Sequence, residues 1–460
     1  MERCLMDIKL LVASAIGLLF LLLILSIWTF HSWKTKSIRK SWIWKKYDYL
    51  LGDSLYRNSL YLMLNSIIVT GLGFFFWMIN TRLFSTEDIG LATALISVMG
   101  VITGLSLLGL NVGLIRYLPS SKRKNEKINT VFTSVMLSSI IVASIFLIFV
   151  DAISPELGFL RKNIIFSIAF IAFMIIASFD FIIDSIFTAY RNTKYILVKN
   201  TIFGIFKLIF PFFLIFLGAY GIFSSWMVSM LIALIISFII LIVKFNYVPK
   251  FEFHKKTIKD IGKYSFGNYV SGFIGGLPIM ILPLLILNKL GAELVAYYYI
   301  AMMIAGLLFI IPHATSQSLF VEGSYSEKEL GRQIKKAVKI ISLLLIPAII
   351  LIVFFGQYLL MLFGKEYAIE GFRFLQVIAV GGIFVGVNAV FISIFKVQKR
   401  IKEILFKSII GSTLIIGLTY LFLSKGSGLS GVGYAWIIGQ ITISLVFTGM
   451  WKFSKKSKSI

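Results

Sequence analysis

The chain of 460 residues holds a single cysteine, Cys4, and three histidines, His31, His254 and His313. One thiol excludes an intrachain disulfide, a zinc ribbon and a cysteine-based cluster. The histidine spacings give neither an HExxH pair nor a facial metal set, so no metal and no other cofactor is expected. Charge is scarce, at 14% of residues, and acids are the scarcer sign, 20 against 45 Lys and Arg. No GxxxxGK[ST] phosphate loop occurs, which removes nucleotide hydrolysis by this chain as an energy source. Polar stretches long enough for a soluble domain of about 100 residues are also missing, so a membrane-tethered enzyme domain is not expected.

What fills the sequence instead is apolar: 58% of residues, with a mean hydropathy of +0.94. A membrane-crossing helix needs about 20 such residues. Hydropathy predicts a first span at Ile8 to Phe30 and then twelve more, beginning with Leu60 to Ile79 and ending with Val432 to Trp451. The expected fold is an all-α polytopic membrane protein of two six-helix bundles, twelve core transmembrane helices, with an extra N-terminal helix. Residues 1–47 form that extra helix and a basic linker, 48–245 the first bundle and 246–460 the second.

Placement of charge supports this division. Alternate connections and the C-terminal tail, WKFSKKSKSI, carry 35 basic residues against nine acids, whereas the segments on the other side carry nine of each. Basic residues concentrate in cytoplasmic loops, so the net charge of +25 reads as a topology signal against anionic lipid. Nucleic acid is not implied. The C-terminus is expected in the cytoplasm and, with thirteen spans, the N-terminus outside. The first span is too long for a signal-peptide core and no small-residue cleavage site follows it, so it reads as a retained anchor.

The two bundles echo each other. IFTAYRNTKYILVKNTI from Ile186 and IFKVQKRIKEILFKSII from Ile394 share seven of seventeen positions without a gap. Glu87 and Glu293 correspond at nearly the same offset, so the repeat is parallel. Helix breakers also match. Gly71 and Gly73 interrupt one span, and Gly276, Pro278 and Pro283 interrupt its counterpart. They are hinge candidates, with close helix packing as the alternative.

The stretches NSLYLMLNSIIVTGLGFFFWMINTRLFSTEDIGLATA, GLSLLGLNVGLIRYLP and MLFGKEYAIEGFRFLQVIAVGGIFVGVNAVFISIFKVQKR resemble the polysaccharide (O-antigen type) flippase family of the multidrug/oligosaccharidyl-lipid/polysaccharide exporter superfamily. The likeness runs from about Tyr47 to the end, and the first span departs from the family's twelve-helix pattern. The resemblance implies a V-shaped pair of bundles around a cavity that opens to each side in turn. It further implies passage of a polyprenyl-(pyro)phosphate-linked oligosaccharide from the inner to the outer leaflet of the cell membrane, coupled to an ion gradient. Membrane lipids, the lipid-linked saccharide and other polysaccharide-assembly proteins are the partners it implies. A drug or metabolite exporter of the same superfamily is the alternative. A membrane glycan polymerase or glycosyltransferase is a more remote one, because the longest outer loop, Gly356 to Arg373, offers few acids or bases.

An anionic headgroup needs cations facing a wet cavity. Arg57, Arg116, Lys199, Lys207 and His313 are the substrate-binding candidates, each with a structural alternative: interfacial anchoring for the arginines, interhelical bridging for the lysines and a helix-helix hydrogen bond for the histidine. Asp180 and Asp184 lie inside a span and share a helix face, which makes them ion-coupling candidates. Counting helical rise from the expected span ends puts Asp180 about 15 Å deep and Lys207 about 16 Å deep, predicting an Asp180 to Lys207 pair with Asp184 left for a proton, a cation or Lys199.

Overall fold

A computed structural model describes residues 54–325 and 329–457, and in these every long element is a helix. Twelve helices are long and apolar enough to cross a membrane, and in hydrocarbon only a helix of this kind pairs all its own backbone groups. They are α1 (Ser54–Leu83), α2 (Thr86–Ser106), α3 (Lys124–Ile153), α4 (Ile164–Ala189), α5 (Lys194–Ile209) and α6 (Ala219–Phe245), then α7 (Lys255–Leu290), α8 (Ala292–Tyr325), α9 (Leu330–Met361), α10 (Phe372–Val397), α11 (Ile401–Ser424) and α12 (Gly428–Ser457). The first predicted span, Ile8 to Phe30, lies outside the described residues.

Local chemistry sets the helix starts. Ser85 caps α2, its Oγ accepting from the Asp88 N–H at 3.1 Å, with Glu87 and Asp88 in the first turn where the helix dipole favours them. Asn163 does the same for α4, accepting from Ile165 N–H at 2.9 Å. Asp88 also reaches across to accept from the Ala219 N–H at 2.8 Å, capping α6 beside Gly218, whose φ of +55° suits glycine.

The two sets of six share turn geometry as well as sequence. Between α4 and α5 Arg191 is left-handed (φ 53°), and between α10 and α11 Lys399 is left-handed (φ 57°), 208 positions later. Both turns close with the same bond pattern: Asn192 N–H to Phe187 O at 3.0 Å, and Arg400 N–H to Phe395 O at 2.8 Å.

Joined at one end, the sets have separate cores at the other. One hydrophobic core runs through both, from Trp77, Leu95 and Phe223 to Val295, Ile300 and Phe374. Toward the end rich in Lys and Arg, the first set has its own core around Leu114, Phe132, Phe187 and Tyr247, and the second a small one of Phe395, Ile443 and Phe447.

At the charge-poor end the joint is tight. A Cβ on Gly90 of α2 would lie 1.7 Å from Ala292 O at the start of α8, so only glycine admits this approach. Polar contacts surround it: Arg82 Nη2 donates to Leu362 O (3.1 Å), Thr86 Oγ1 to Glu366 Oε2 (3.1 Å) and Asn288 Nδ2 to Ile153 O (2.6 Å). Ring pairs Phe74–Phe363 (5.0 Å) and Trp77–Tyr299 (4.8 Å) seal the layer below.

The connection between the sets, residues 246–254, is strapped to the first. Asn129 of α3 donates to Val248 O (3.0 Å) and accepts from Tyr247 Oη (2.6 Å) and Lys250 N–H (3.3 Å). The start of α7 follows it, Ile261 belonging to the first set's core.

Candidate functional site

Where α4 and α5 descend to their turn, three charges meet. Lys199 Nζ donates to Asp180 Oδ1 at 2.6 Å and makes an ion contact to Asp184 Oδ1 at 2.7 Å. The Lys199 side chain is fully buried, while Asp180 and Asp184 keep 18% and 32% of their side-chain surface open. A buried cation is tolerated when charge partners replace its water, and one ammonium between two carboxylates four residues apart removes the repulsion they would otherwise feel. The triad carries a net charge of −1 when all three groups are ionised.

The predicted Asp180 to Lys207 pair is therefore corrected: Asp180 pairs with Lys199. The helix ends explain why. Measured from Ala189, Asp180 is about 14 Å up α4, whereas Lys207 is about 20 Å up α5 from Lys194, and Lys207 points about 80° around that helix from Lys199. Asp184 and Lys199, each five residues from their shared turn, are level.

Lys207 occupies a different environment. It is buried, with Nζ 4.6 Å from the Trp226 ring centroid, 4.9 Å from Phe203 and 5.4 Å from Phe76. No carboxylate pairs with it among the described residues. Three aromatic faces take the place of a counter-ion.

Gly73 lies against this enclosure, a Cβ there falling 3.9 Å from Lys207 Nζ. Gly71 has nothing within 4 Å of such a Cβ, and Gly276 has only the flexible end of Met280 at 3.8 Å. Close packing does not account for these glycines. It does account for Gly104, which meets Phe273 of α7 at 2.5 Å, and Gly204, which meets Leu72 of α1 at 2.3 Å. Both α1 and α7 run unbroken past the matching breakers, α7 through Pro278 and Pro283.

The remaining candidates are not brought to the triad. Arg57 is half-buried near the start of α1. Arg116 is exposed on a short helix, Leu110–Tyr117, with its guanidinium carbon 5.8 Å from the Tyr117 ring. His313 follows Pro312 on α8, in the second set, and is exposed. Lys407 was missed because the charge count assigned it to a connection, whereas it lies inside α11. The repeat held the signal: the aligned segments pair Lys199 with Lys407.

Paired six-helix sets, joined at one end around a shared core and holding buried charge between helices, define a polytopic membrane protein of transporter architecture. The fold matches that of a solved "Lipid II flippase MurJ, inward closed conformation" with a TM-score of 0.67, at 17% identity over 85% of this chain and 87% of that one. It also matches an inward-facing multidrug resistance MATE family transporter of the MOP superfamily with a TM-score of 0.62, at 18% identity over 87% of this chain and 96% of that one. The family profile described as "Polysaccharide biosynthesis protein" matches residues 55–320, and the chain belongs to that family. A second profile, MatE, matches residues 277–421. A "Putative O-antigen transporter" of Shigella flexneri is 26% identical over 212 residues, 44% of this chain; the match spans about half of that relative's length, 49%.

Proposed function

We propose that this protein flips a polyprenyl-(pyro)phosphate-linked oligosaccharide from the cytoplasmic to the outer leaflet during polysaccharide assembly, driven by an ion gradient. The observation that carries the reading is family membership across residues 55–320 on a fold whose two sets close at the charge-poor end. The basic end then faces the cytoplasm by the positive-inside tendency, with the C-terminus there and the N-terminus outside. Cargo enters from that side, its glycan and phosphate between residues 48–245 and 246–460 and its tail in lipid.

In this scheme Arg57, Arg116 and His313 meet the headgroup. The charge of Lys199 is matched by Asp180 and Asp184, and these three make the coupling element: with a net charge of −1 the triad can take up one proton or monovalent cation without stranding a buried charge. Lys207, held by aromatic rings beside Gly73, ties α5 to α1 at its hinge candidate. A drug-exporter reading has one observation in its favour, the MatE profile over residues 277–421.

Deleting the gene and following the lipid-linked glycan separates the two. Glycan trapped in the inner leaflet, restored by the wild-type gene, is the expected result. Normal glycan export with altered drug susceptibility would overturn the flippase reading.

A further inference from the structure

Lys407 of α11 stands where Lys199 stands in α5, 208 positions earlier, after a turn of the same left-handed geometry. The surroundings differ in charge. The positions matching Asp180 and Asp184 are Asn388 and Ile392, which bring no charge. Asn388 is moreover committed to α12: its Nδ2 donates to Gln440 Oε1 at 2.9 Å and its Oδ1 accepts from Ser444 Oγ at 2.8 Å. The nearest acid along α11, Glu403, is taken by Arg400 at 2.8 Å. Lys407 thus has no carboxylate partner among the described residues, although it is only partly exposed and lies within a span. His313 of α8 lies within electrostatic range of Lys407 and of Lys396 of α10.

The first set shows what this lysine accepts: two anionic oxygens, at 2.6 and 2.7 Å, from different groups. In the second set the protein supplies neither. We propose that Lys407, with His313, binds a phosphate-type oxyanion, whose paired oxygens replace the two missing carboxylates. Such charge-assisted contacts are the stronger class of hydrogen bond, and a site with low local dielectric rewards them further. Duplication has left one lysine neutralised for coupling and its twin open for a ligand. Identifying the oxyanion with the cargo's own phosphate rests on the flippase reading; the site itself does not.

The test uses the full chain in phosphatidylcholine nanodiscs and measures calorimetric binding of inorganic pyrophosphate, with no transport step. Wild type binds; Lys407→Gln weakens affinity on the order of tenfold; Lys407→Arg stays within about threefold, because the charge is kept. Lys425→Gln, at the charge-poor end, controls for net charge and leaves affinity unchanged. His313→Gln, at an exposed position, weakens binding by about threefold and keeps the proposal testable should Lys407→Gln fail to fold. Equal affinity in wild type, Lys407→Gln and His313→Gln, or no binding to the wild type, overturns the site. Repeating the series in phosphatidylglycerol separates the sources: competition by that lipid that depends on Lys407 supports the site and assigns its anion to the bilayer, whereas pyrophosphate binding undiminished there supports the cargo's phosphate. A site upheld in a protein that fails to move lipid-linked glycan would reject the flippase reading alone.

Discussion

Lys199 Nζ sits 2.6 Å from Asp180 Oδ1 with no exposed side-chain surface of its own, so α4 and α5 are held together by a charge that water does not reach. Removing the lysine alone is costly, because it strands both carboxylates. Lys199→Met leaves two carboxylates four residues apart without their cation and is expected to destabilise the protein by about 3 to 5 kcal/mol. The triple change Lys199→Met, Asp180→Asn, Asp184→Asn recovers most of that loss and still abolishes ion-coupled export. Thermal unfolding in detergent and glycan export in cells check the two halves of this expectation. A triple variant as unstable as the single one would show that the residues do not act as a unit.

Spans were legible because a membrane helix must be both apolar and long; the twelve found follow the hydropathy runs closely. The repeat was legible in IFTAYRNTKYILVKNTI and its echo, to which the structure adds the left-handed Arg191 and Lys399 at matching places. Partner choice was not. Depth along a helix fixes one coordinate and leaves azimuth open, so Asp180 and Lys207 appeared level while Lys207 turned toward Trp226. Lys407 escaped for a different reason: it falls inside the hydropathy run but was tallied with the basic turn before it, so its place within the span went unweighed.

Lys207 contrasts with Lys199 although both are buried lysines of one helix. Its partners are the rings of Trp226, Phe203 and Phe76, which lose little when the cation leaves. Lys207→Met, similar in shape and apolar, is expected to change stability by no more than about 1 kcal/mol. Trp226→Ala opens a cavity and removes the nearest ring, costing about 3 kcal/mol or more. Unfolding midpoints of the two variants, measured side by side, test the enclosure; a large loss in Lys207→Met would point to an anionic partner.

Asn129 anchors the connection between the sets through three hydrogen bonds while itself buried. Asn129→Ala strips partners from the Tyr247 hydroxyl and from the backbone at Val248 and Lys250. The expected cost is about 2 to 3 kcal/mol. Because the strap lies at the surface of the first set, the change should show locally first, as faster amide exchange and proteolysis across residues 246–254. Unchanged protection there would mean that the packing of Tyr247 among Phe132 and Phe238 holds the strap without Asn129.

Gly90 is where closure of the charge-poor end can be blocked with one methyl group. A Cβ at this position would overlap Ala292 O, and a backbone oxygen at the start of α8 cannot move aside as a flexible side chain would. Gly90→Ala strains only the closed joint, since the glycine lies within α2, where alanine is the better helix former. Overpacking of this kind costs about 1 to 3 kcal/mol, enough to shift a two-state balance by roughly tenfold or more toward opening at that end. Thr86→Cys with Glu366→Cys, which stand at the joint and contact each other through Thr86 Oγ1 and Glu366 Oε2 at 3.1 Å, report on this directly. In a chain whose lone native cysteine, Cys4, has first been replaced by serine, a short bifunctional thiol reagent, which spans the reach lost with the glutamate side chain, should cross-link the pair readily and arrest export. Adding Gly90→Ala should lower that yield severalfold while leaving the unfolding midpoint of the reduced protein nearly unchanged, because opening relieves the strain. An undiminished cross-link yield would mean that the joint absorbs the methyl group and that α2 against α8 is not what holds this end shut.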